Sequence, residues 1–409
     1  MDHSAKDVSQ RLVERWPDIY AKYLRKDGGI LMEMFKLTYG YQEASHYFGL
    51  LFAKVFTDNG FEQHHKHKCV LYQRANPQGR IEAVTALTVD DAYGAATPEM
   101  KSRILKLCRD AFKEITLEEG DNINVIGMNI QLDRIKGTVK IQQKRFVEKL
   151  LADRGVTKAA PTPCTMDFFK EPPNSPLLLD QRDFMSLNSS LMYAGKRTYP
   201  EILPAVTMLA RKYGKATELD LKKATRVVQY LNYHSDHSLY LRPMSLNIVA
   251  SGDASYSEHE DAKSHTGGCI GFEGFNGHHA YLSFISSKQS LVTKSSTEAE
   301  LVAADTVVST AVWMRQFMEE LGVRQRPIRL DQDNQSTIII AGQGTGTFKR
   351  SKHIKVRYFW IKEQIDDGVL EISHVPGEQL VADILTKPLS RERFNYLLHK
   401  LLGWNALEE

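Results

Sequence analysis

The chain is poor in cysteine. Its four cysteines, Cys69, Cys108, Cys164 and Cys269, are scattered through 409 residues without a Cys-x-x-Cys pair. That spacing argues against a disulfide framework or a thiolate zinc site, and it suits a reducing compartment. No run of 18 apolar residues occurs, so no membrane span is expected. The opening residues, MDHSAKDVSQ, lack the apolar stretch of a secretory signal. A dominant charge is missing too: 53 Lys and Arg against 50 Asp and Glu leave a net +3. Nucleic-acid binding, if any, must come from local basic patches rather than from a basic whole. No internal repeat is visible. The hydrophobic content of 42% and charged content of 25% are ordinary for a globular protein, and the length allows two or three domains.

Along the chain, residues 5–25 read as an amphipathic helix with Val8, Leu12, Val13, Trp16 and Tyr20 on one side. A second helix is expected from Gln42 to Asn59, stopping at Gly60. Hairpins are expected at 69–89 and at 125–142, with helices over 98–115 and 144–154, the last ending at Gly155. From Thr157 to Met185, five prolines interrupt any regular element, which predicts a linker or surface loop. Helices resume from Phe184 to about Tyr233. From 246 to 389 the pattern reads β-β-β-α-β-α-β-α.

Four carboxylates in that last stretch stand where strands end or helices begin. They are Asp253 in VASGDASY, Glu300 in SSTEAEL, Asp333 in LDQDNQS and Asp383 in LVADILTK. A lone Asp in such a place is usually a helix cap or a solvated charge. Four in a consistent topology suggest a shared site. Gathered around one point they repel one another unless cations neutralise them, and paired Mg²⁺ or Mn²⁺ suit such oxygen ligands. Glu298 and Glu300 cannot both face the sheet, because residues two apart on a helix point about 200° apart. Glu300 shares its stripe with Ala304, Val307, Ala311 and Met314, so Glu300 is assigned to the site. Asp331 and Asp333 are harder to separate, because alternate strand residues face one way. Asp333 is preferred as nearer the strand's carboxyl end.

The segments DASY, SSTEAEL, DNQST and KHIKVRYFWIKEQIDDGVLEISHVPGEQLVADILTKPL resemble the ribonuclease H domain of Ty1/copia-type retrotransposon Pol polyproteins. The resemblance covers about 246–400. It implies an RNase H fold that cleaves the RNA strand of an RNA–DNA hybrid, with Asp253, Glu300, Asp333 and Asp383 as metal-binding acids around two ions. The segment EHEDAKSH after the first motif departs from the family in its acid and histidine content, and it is expected to be a solvated loop. In KRSKHIKVRYFWIK, the residues Lys349, Arg350, Lys352, His353, Lys355 and Arg357 are candidate hybrid contacts. Val356, Phe359 and Trp360 are expected in the core.

The first half carries VTALTVDDAYG, where Asp90 and Asp91 at a hairpin tip resemble the YVDD motif of reverse transcriptases. Of the two, Asp90 is the better metal-ligand candidate. FKLTYGYQEASHYF upstream, NVIGMNIQLDRIKGTVKIQQKRFVEKLL downstream, and 187–241 extend the similarity over almost the entire chain. Departures are Thr88 before VDD, Glu43 where Gln is usual, and Tyr199 and Glu201 in TYPEI. The family's first polymerase Asp lies upstream of the YGYQE segment, so the polymerase part is expected to be incomplete. The His64-His65-Lys66-His67-Lys68-Cys69 cluster fits no zinc spacing and suggests a basic edge.

The expected fold class is α/β: an α+β palm-like polymerase subdomain followed by a mixed-sheet RNase H-like α/β domain. The expected boundaries are 1–156 for the partial palm and fingers, 157–245 for a linker and helical connection, 246–389 for the RNase H-like domain, and 390–409 for a terminal helix and tail. The resemblance implies Mg²⁺ or Mn²⁺ as cofactor. As partners it implies an RNA–DNA hybrid, an RNA template and DNA primer, and other Pol and Gag products. It implies a cytoplasmic virus-like particle, or the nucleus, as location. The alternative is a decayed or co-opted element that binds nucleic acid without catalysis. Retention of all four acids argues against that for the second half.

Overall fold

The structure, a computed structural model, describes residues 10–30, 43–76, 79–112, 114–170, 175–259, 261–343 and 352–404. The chain divides into two units, Met1–Lys113 and Glu114–Glu409. The expected boundary at 156/157 falls within the second.

In the first unit the helix expected over 5–25 is interrupted. Residues 10–15 are helical, Trp16 is not, and Pro17–Tyr20 begins a new turn. Pro17 lacks the N–H that would continue the ladder. Helix α1 (Ala44–Thr57) ends before Gly60, whose φ of 85° is the left-handed conformation that lets the chain reverse. Strands β1 (Glu62–Gln63), β2 (Val70–Arg74), β3 (Ile81–Thr88) and β4 (Asp91–Ala96) form an antiparallel sheet in sequence order. Helix α2 (Pro98–Ala111) is capped by Thr97, whose hydroxyl accepts from the Met100 N–H at 3.4 Å. Phe52, Phe56 and Phe61 are buried beneath these elements.

The second unit opens with β5 (Asn122–Val125), β6 (Met128–Asp133) and β7 (Thr138–Gln142). The expected hairpin gains β5 through a tight turn at Ile126-Gly127 and a fourth strand, β8 (Leu239–Leu241), from far along the chain. Helix α3 (Lys144–Arg154) ends as expected at Gly155, whose φ is 58°. The proline-rich segment is irregular, but it is not a free linker. Ala160, Thr162, Cys164 and Phe168 are buried, and the Ala160 N–H donates to the Gln229 carbonyl at 3.0 Å. Prolines forbid a hydrogen-bond ladder but do not prevent side chains from packing. Helices α4 (Gln181–Gly195), α5 (Leu203–Ala210) and α6 (Glu218–Tyr233) follow.

The last part is a five-stranded mixed sheet. Its strands are β9 (Pro243–Ser255), β10 (His265–Gly274), β11 (Ala280–Lys288), β12 (Ile328–Gln332) and β13 (Leu370–His374), in the order β11-β10-β9-β12-β13. The first three form an antiparallel meander, and β12 runs parallel to both β9 and β13. One face packs on α7 (Ser296–Glu320), α8 (Gln335–Gln343) and α9 (Lys352–Asp366), through Ile248, Ile270 and Leu330 against Val307, Val308 and Tyr358. The other face packs through Val249, Cys269 and Tyr281 into a core shared with α4–α6 and α10 (Arg391–Leu402). This is the mixed-sheet α/β architecture expected from the sequence. Two covered faces suit its parallel half, whose strands cannot leave a face in water.

Two expectations fail here, the second in part. Val356 and Phe359 are exposed rather than core, and it is Tyr358 and Ile361 that are buried. The apolar stripe of α9 is phased one step away from the one chosen, because Val and Phe on its outer side mask the true period. The EHEDAKSH segment is only partly the solvated loop expected, with Asp261 and Ala262 exposed but its ends enclosed. His259, Ser264 and His265 are buried; His259 Nε2 lies 3.2 Å from His265 Nδ1, and His265 Nε2 lies 2.8 Å from the Ser286 hydroxyl. Arg211, the residue just after α5, meets His259 Nδ1 at 2.5 Å. Paired histidines can share hydrogen bonds while neutral, so they tolerate burial that lone charges would not.

Glu201, in the turn before α5, is fully enclosed. The Tyr230 hydroxyl donates to its Oε1 at 2.9 Å. Burial nonetheless pushes its carboxyl up to about 7. A raised carboxyl stabilises the fold below its ordinary value, and that contribution is lost as pH climbs through 7. Glu201→Gln keeps an acceptor for Tyr230 and removes the titration. It should therefore gain about 3 kcal/mol on the parent between pH 5 and pH 8. Urea midpoints at the two pH values check this, and parallel profiles for the two proteins would refute it.

Candidate active site

Each acid is placed by a local reason. Asp253 lies toward the end of β9 and is paired in register with Gly267 on β10. At the start of α7, Ser295 accepts from the Glu298 N–H at 3.1 Å, while Glu298 accepts from the Lys294 N–H at 2.7 Å. Glu298 is thereby spent on the helix terminus. Glu300, on the opposite side of the helix, is buried against the sheet. Strand β12 stops at Gln332, and Asp333 begins the turn into α8. Asp331 points to the other face, where it pairs with Arg329 Nε at 3.2 Å.

Asp253, Glu300 and Asp333 each offer an oxygen within 4.8 Å of the others, the one such group of three or more among the described residues. Asp383 sits beside them in a 3₁₀ turn, Val381–Leu385, not on the expected α-helix. Its Oδ1 pairs with Lys387 Nζ at 2.7 Å, and its Oδ2 pairs with Arg393 of α10. Lys387 Nζ also lies 3.7 Å from Asp253 Oδ2, which accepts from the Thr386 hydroxyl at 2.6 Å.

The electrostatics follow from crowding. Burial, then the neighbouring Asp253 and Asp333, hold the Glu300 carboxyl well above its ordinary value. Burial and Asp253 likewise raise Asp383 to about 7, against the pull of Lys387. Asp333 is raised by burial and Asp253. Burial works against the Lys387 ammonium, but Asp253 and Asp383 outweigh it and leave Lys387 above its ordinary value. The converging donors are all carboxylate oxygens, the set that hard divalent cations take. Asp253, Glu300 and Asp333 therefore fit a divalent cation.

Several organising residues escaped the sequence reading. Gln332 is fully buried; its Nε2 donates to Glu300 Oε2 at 3.4 Å, and its Oε1 accepts from the Asp333 and Asn334 N–H groups at 2.8 and 3.0 Å. Strand alternation, which turns it away from Asp331 toward α7, was the available signal. Thr386 and Lys387 sit three and four residues after Asp383, one turn on, which was also legible. Arg393 had no local signal. Its Nη2 donates to the Gly377 carbonyl at 2.8 Å and reaches Asp383 only because α10 folds back.

The other candidates are placed apart. Asp90 and Asp91 are exposed at the β3–β4 turn, where Val89 has a φ of 54° and Asp91 accepts from the Tyr93 hydroxyl at 2.9 Å. Among the described residues no third metal-ligating group joins them. Lys349 and Arg350 lie outside the described residues, and Lys352 and His353 begin α9. Lys355 is exposed, with its ammonium 5.7 Å from the Phe359 ring centre. Arg357 is engaged with Asp305 of α7. His64 Nδ1 accepts from the Lys66 and His67 N–H groups at 3.3 and 3.2 Å, so that ring organises its own turn.

No family model matches the chain. It is 26% identical over 381 residues to the retrovirus-related Pol polyprotein from transposon TNT 1-94 of Nicotiana tabacum, a match covering 91% of this chain and 28% of that protein. It is 30% identical over 278 residues to the retrovirus-related Pol polyprotein from transposon RE1 of Arabidopsis thaliana, covering 67% of this chain and 19% of that protein. A solved foamy viral protease-reverse transcriptase in complex with RNA/DNA hybrid aligns with 83% of this chain and 39% of its own, at 13% identity and a TM-score of 0.45. The chain thus spans 28% or less of the length of these two polyproteins. With similarity running through most of its length, the chain belongs to the Pol polyproteins of copia-type retrotransposons.

Proposed function

We propose that the second unit is a ribonuclease H-type endonuclease that hydrolyses the RNA strand of an RNA–DNA hybrid. The observation that carries this reading is the convergence of Asp253, Glu300 and Asp333 within 4.8 Å, with Asp383 alongside. A divalent cation held by those oxygens supplies charge stabilisation at the scissile phosphodiester. The chain's own residues do the rest. Gln332 holds the Glu300 carboxylate and the Asp333 backbone in one orientation. Thr386 fixes the Asp253 carboxylate against the turn that carries Asp383. The partly exposed Lys387 ammonium presents positive charge at the rim, where a phosphate arrives. Exposed Lys355, one turn from Phe359, is the best remaining candidate for a contact to the hybrid. Polymerase chemistry is not proposed for the described part of the first unit, because Asp90 and Asp91 stand there without a third ligand.

The experiment is cleavage of an end-labelled RNA–DNA hybrid by the full chain, with Asp333→Asn and Asp331→Asn compared. Asp333→Asn should lose activity by about a hundredfold or more, as expected when one charged group stabilising the transition state is removed. Asp331→Asn should stay close to the parent, since Asp331 faces away and pairs with Arg329. Equal losses in the two variants would overturn the assignment of Asp333.

A further inference from the structure

We propose that Lys387 is a built-in cation that fills the Asp253–Asp383 side of the site, so that the free protein takes one divalent cation and admits a second poorly. This rests on the metal-site reading above and adds a role for a residue outside the carboxylate set.

The geometry carries it. The Lys387 ammonium bridges acids from two separate elements, at 2.7 Å from Asp383 Oδ1 and 3.7 Å from Asp253 Oδ2. Each oxygen of Asp383 lies against a cation of its own chain, Lys387 at one and Arg393 at the other. Asp383 stands outside the group formed by Asp253, Glu300 and Asp333. A divalent cation bridging Asp253 and Asp383 would need the space and the oxygens the ammonium holds.

Charge balance points the same way. Even fully ionised, the four carboxylates bring at most four negative charges, and Lys387 with Arg393 returns two positive ones. One divalent cation at Asp253, Glu300 and Asp333 completes neutrality. A second would leave the buried site with excess positive charge, which is costly there unless an anion such as a substrate phosphate enters with it. Lys387 is the less tethered member of the pair. Its ammonium sits on a flexible stem, whereas Arg393 is also tied to the Gly377 carbonyl. The ammonium can swing out to meet the phosphate and vacate the Asp253–Asp383 side at that moment. Lys387 is thus a positioning residue that couples occupancy of the second cation position to arrival of substrate.

The test is Mn²⁺ titration by calorimetry on the full chain without nucleic acid, for the parent, Lys387→Met, Lys387→Gln and Lys387→Arg. The parent should bind one Mn²⁺ in the accessible range. Lys387→Met and Lys387→Gln should bind two, the second at least tenfold tighter than in the parent. Lys387→Arg, which keeps the charge, should return to one. Circular dichroism of each variant guards against misfolding, and the Gln variant serves if Met does not fold. Two tight ions in the parent, or a single ion in both neutral variants, would overturn the proposal. If the parent binds no Mn²⁺ and Asp253→Asn is indistinguishable from it, the metal-site reading itself fails and this inference falls with it.

Discussion

Asp253→Asn and Glu300→Gln are each expected to reduce RNA–DNA hybrid cleavage by about a thousandfold while the fold persists. The size follows from the several kcal/mol that charge stabilisation by a bound cation contributes at a phosphodiester, at roughly tenfold in rate per 1.4 kcal/mol. Both residues lie in the three-carboxylate group, so either change removes an oxygen that the proposed cation would take. Stability should move the other way. The Glu300 carboxyl is held well above its ordinary value by burial and by Asp253 and Asp333, so its ionisation at neutral pH works against folding. A raised carboxyl loses its contribution as pH rises, and Gln does not titrate. Glu300→Gln should therefore melt higher than the parent at pH 8 without added metal, the usual opposition of stability and activity at a strained site. Melting curves and single-turnover cleavage on the same preparations check both halves. A variant that lost activity and melted well below the parent would show that Glu300 supports the fold instead.

Gly267→Ala is expected to damage the site without touching any acid. A Cβ at Gly267 would lie 2.4 Å from the Thr386 side-chain methyl, 2.9 Å from the Ala382 carbonyl and 3.0 Å from the Leu385 carbonyl carbon. Two of those three are backbone atoms, so the turn that carries Asp383 must move off β10. Gly267 is the register partner of Asp253, and the displaced turn takes Thr386, Asp383 and Lys387 with it. Overpacking of this kind costs about 1–3 kcal/mol, and cleavage should fall more than the stability does. Gly252→Ala is the control. Its Cβ would meet nothing nearer than the Val307 methyl at 3.5 Å, an ordinary contact. Thermal unfolding and hybrid cleavage of both variants measure the contrast, and equal behaviour of the two would contradict it.

The sequence disclosed those parts that depend on local rules. Helix α3 and its Gly155 terminus follow from helical period and a left-handed glycine. Choosing Glu300 over Glu298 follows from helix geometry alone, and the structure has Glu298 occupied at the helix terminus while Glu300 is buried. What stayed hidden depends on distant closure. Nothing near Arg393 indicates that α10 returns to Asp383, and nothing near Leu239 indicates that it extends the sheet begun at Asn122. The phase of α9 was misread because exposed Val356 and Phe359 imitate a core stripe. The ends of the EHEDAKSH segment were misread because the burial of His259 and His265 depends on Arg211 and Ser286, far away in sequence. Preferring Asp333 over Asp331 rests on nearness to the strand's carboxyl end, and β12 stops at Gln332, one residue before Asp333.

The decisive measurement is single-turnover cleavage by the full chain of one labelled RNA strand, presented in an RNA–DNA hybrid, in an RNA duplex and alone. Each is run with Mg²⁺ and with EDTA. The acid cluster reading predicts cleavage of the hybrid alone, in Mg²⁺ alone, and its loss in Asp253→Asn. Hybrid cleavage that persists in EDTA or in Asp253→Asn, or no cleavage of the hybrid by the folded parent in Mg²⁺, would contradict it.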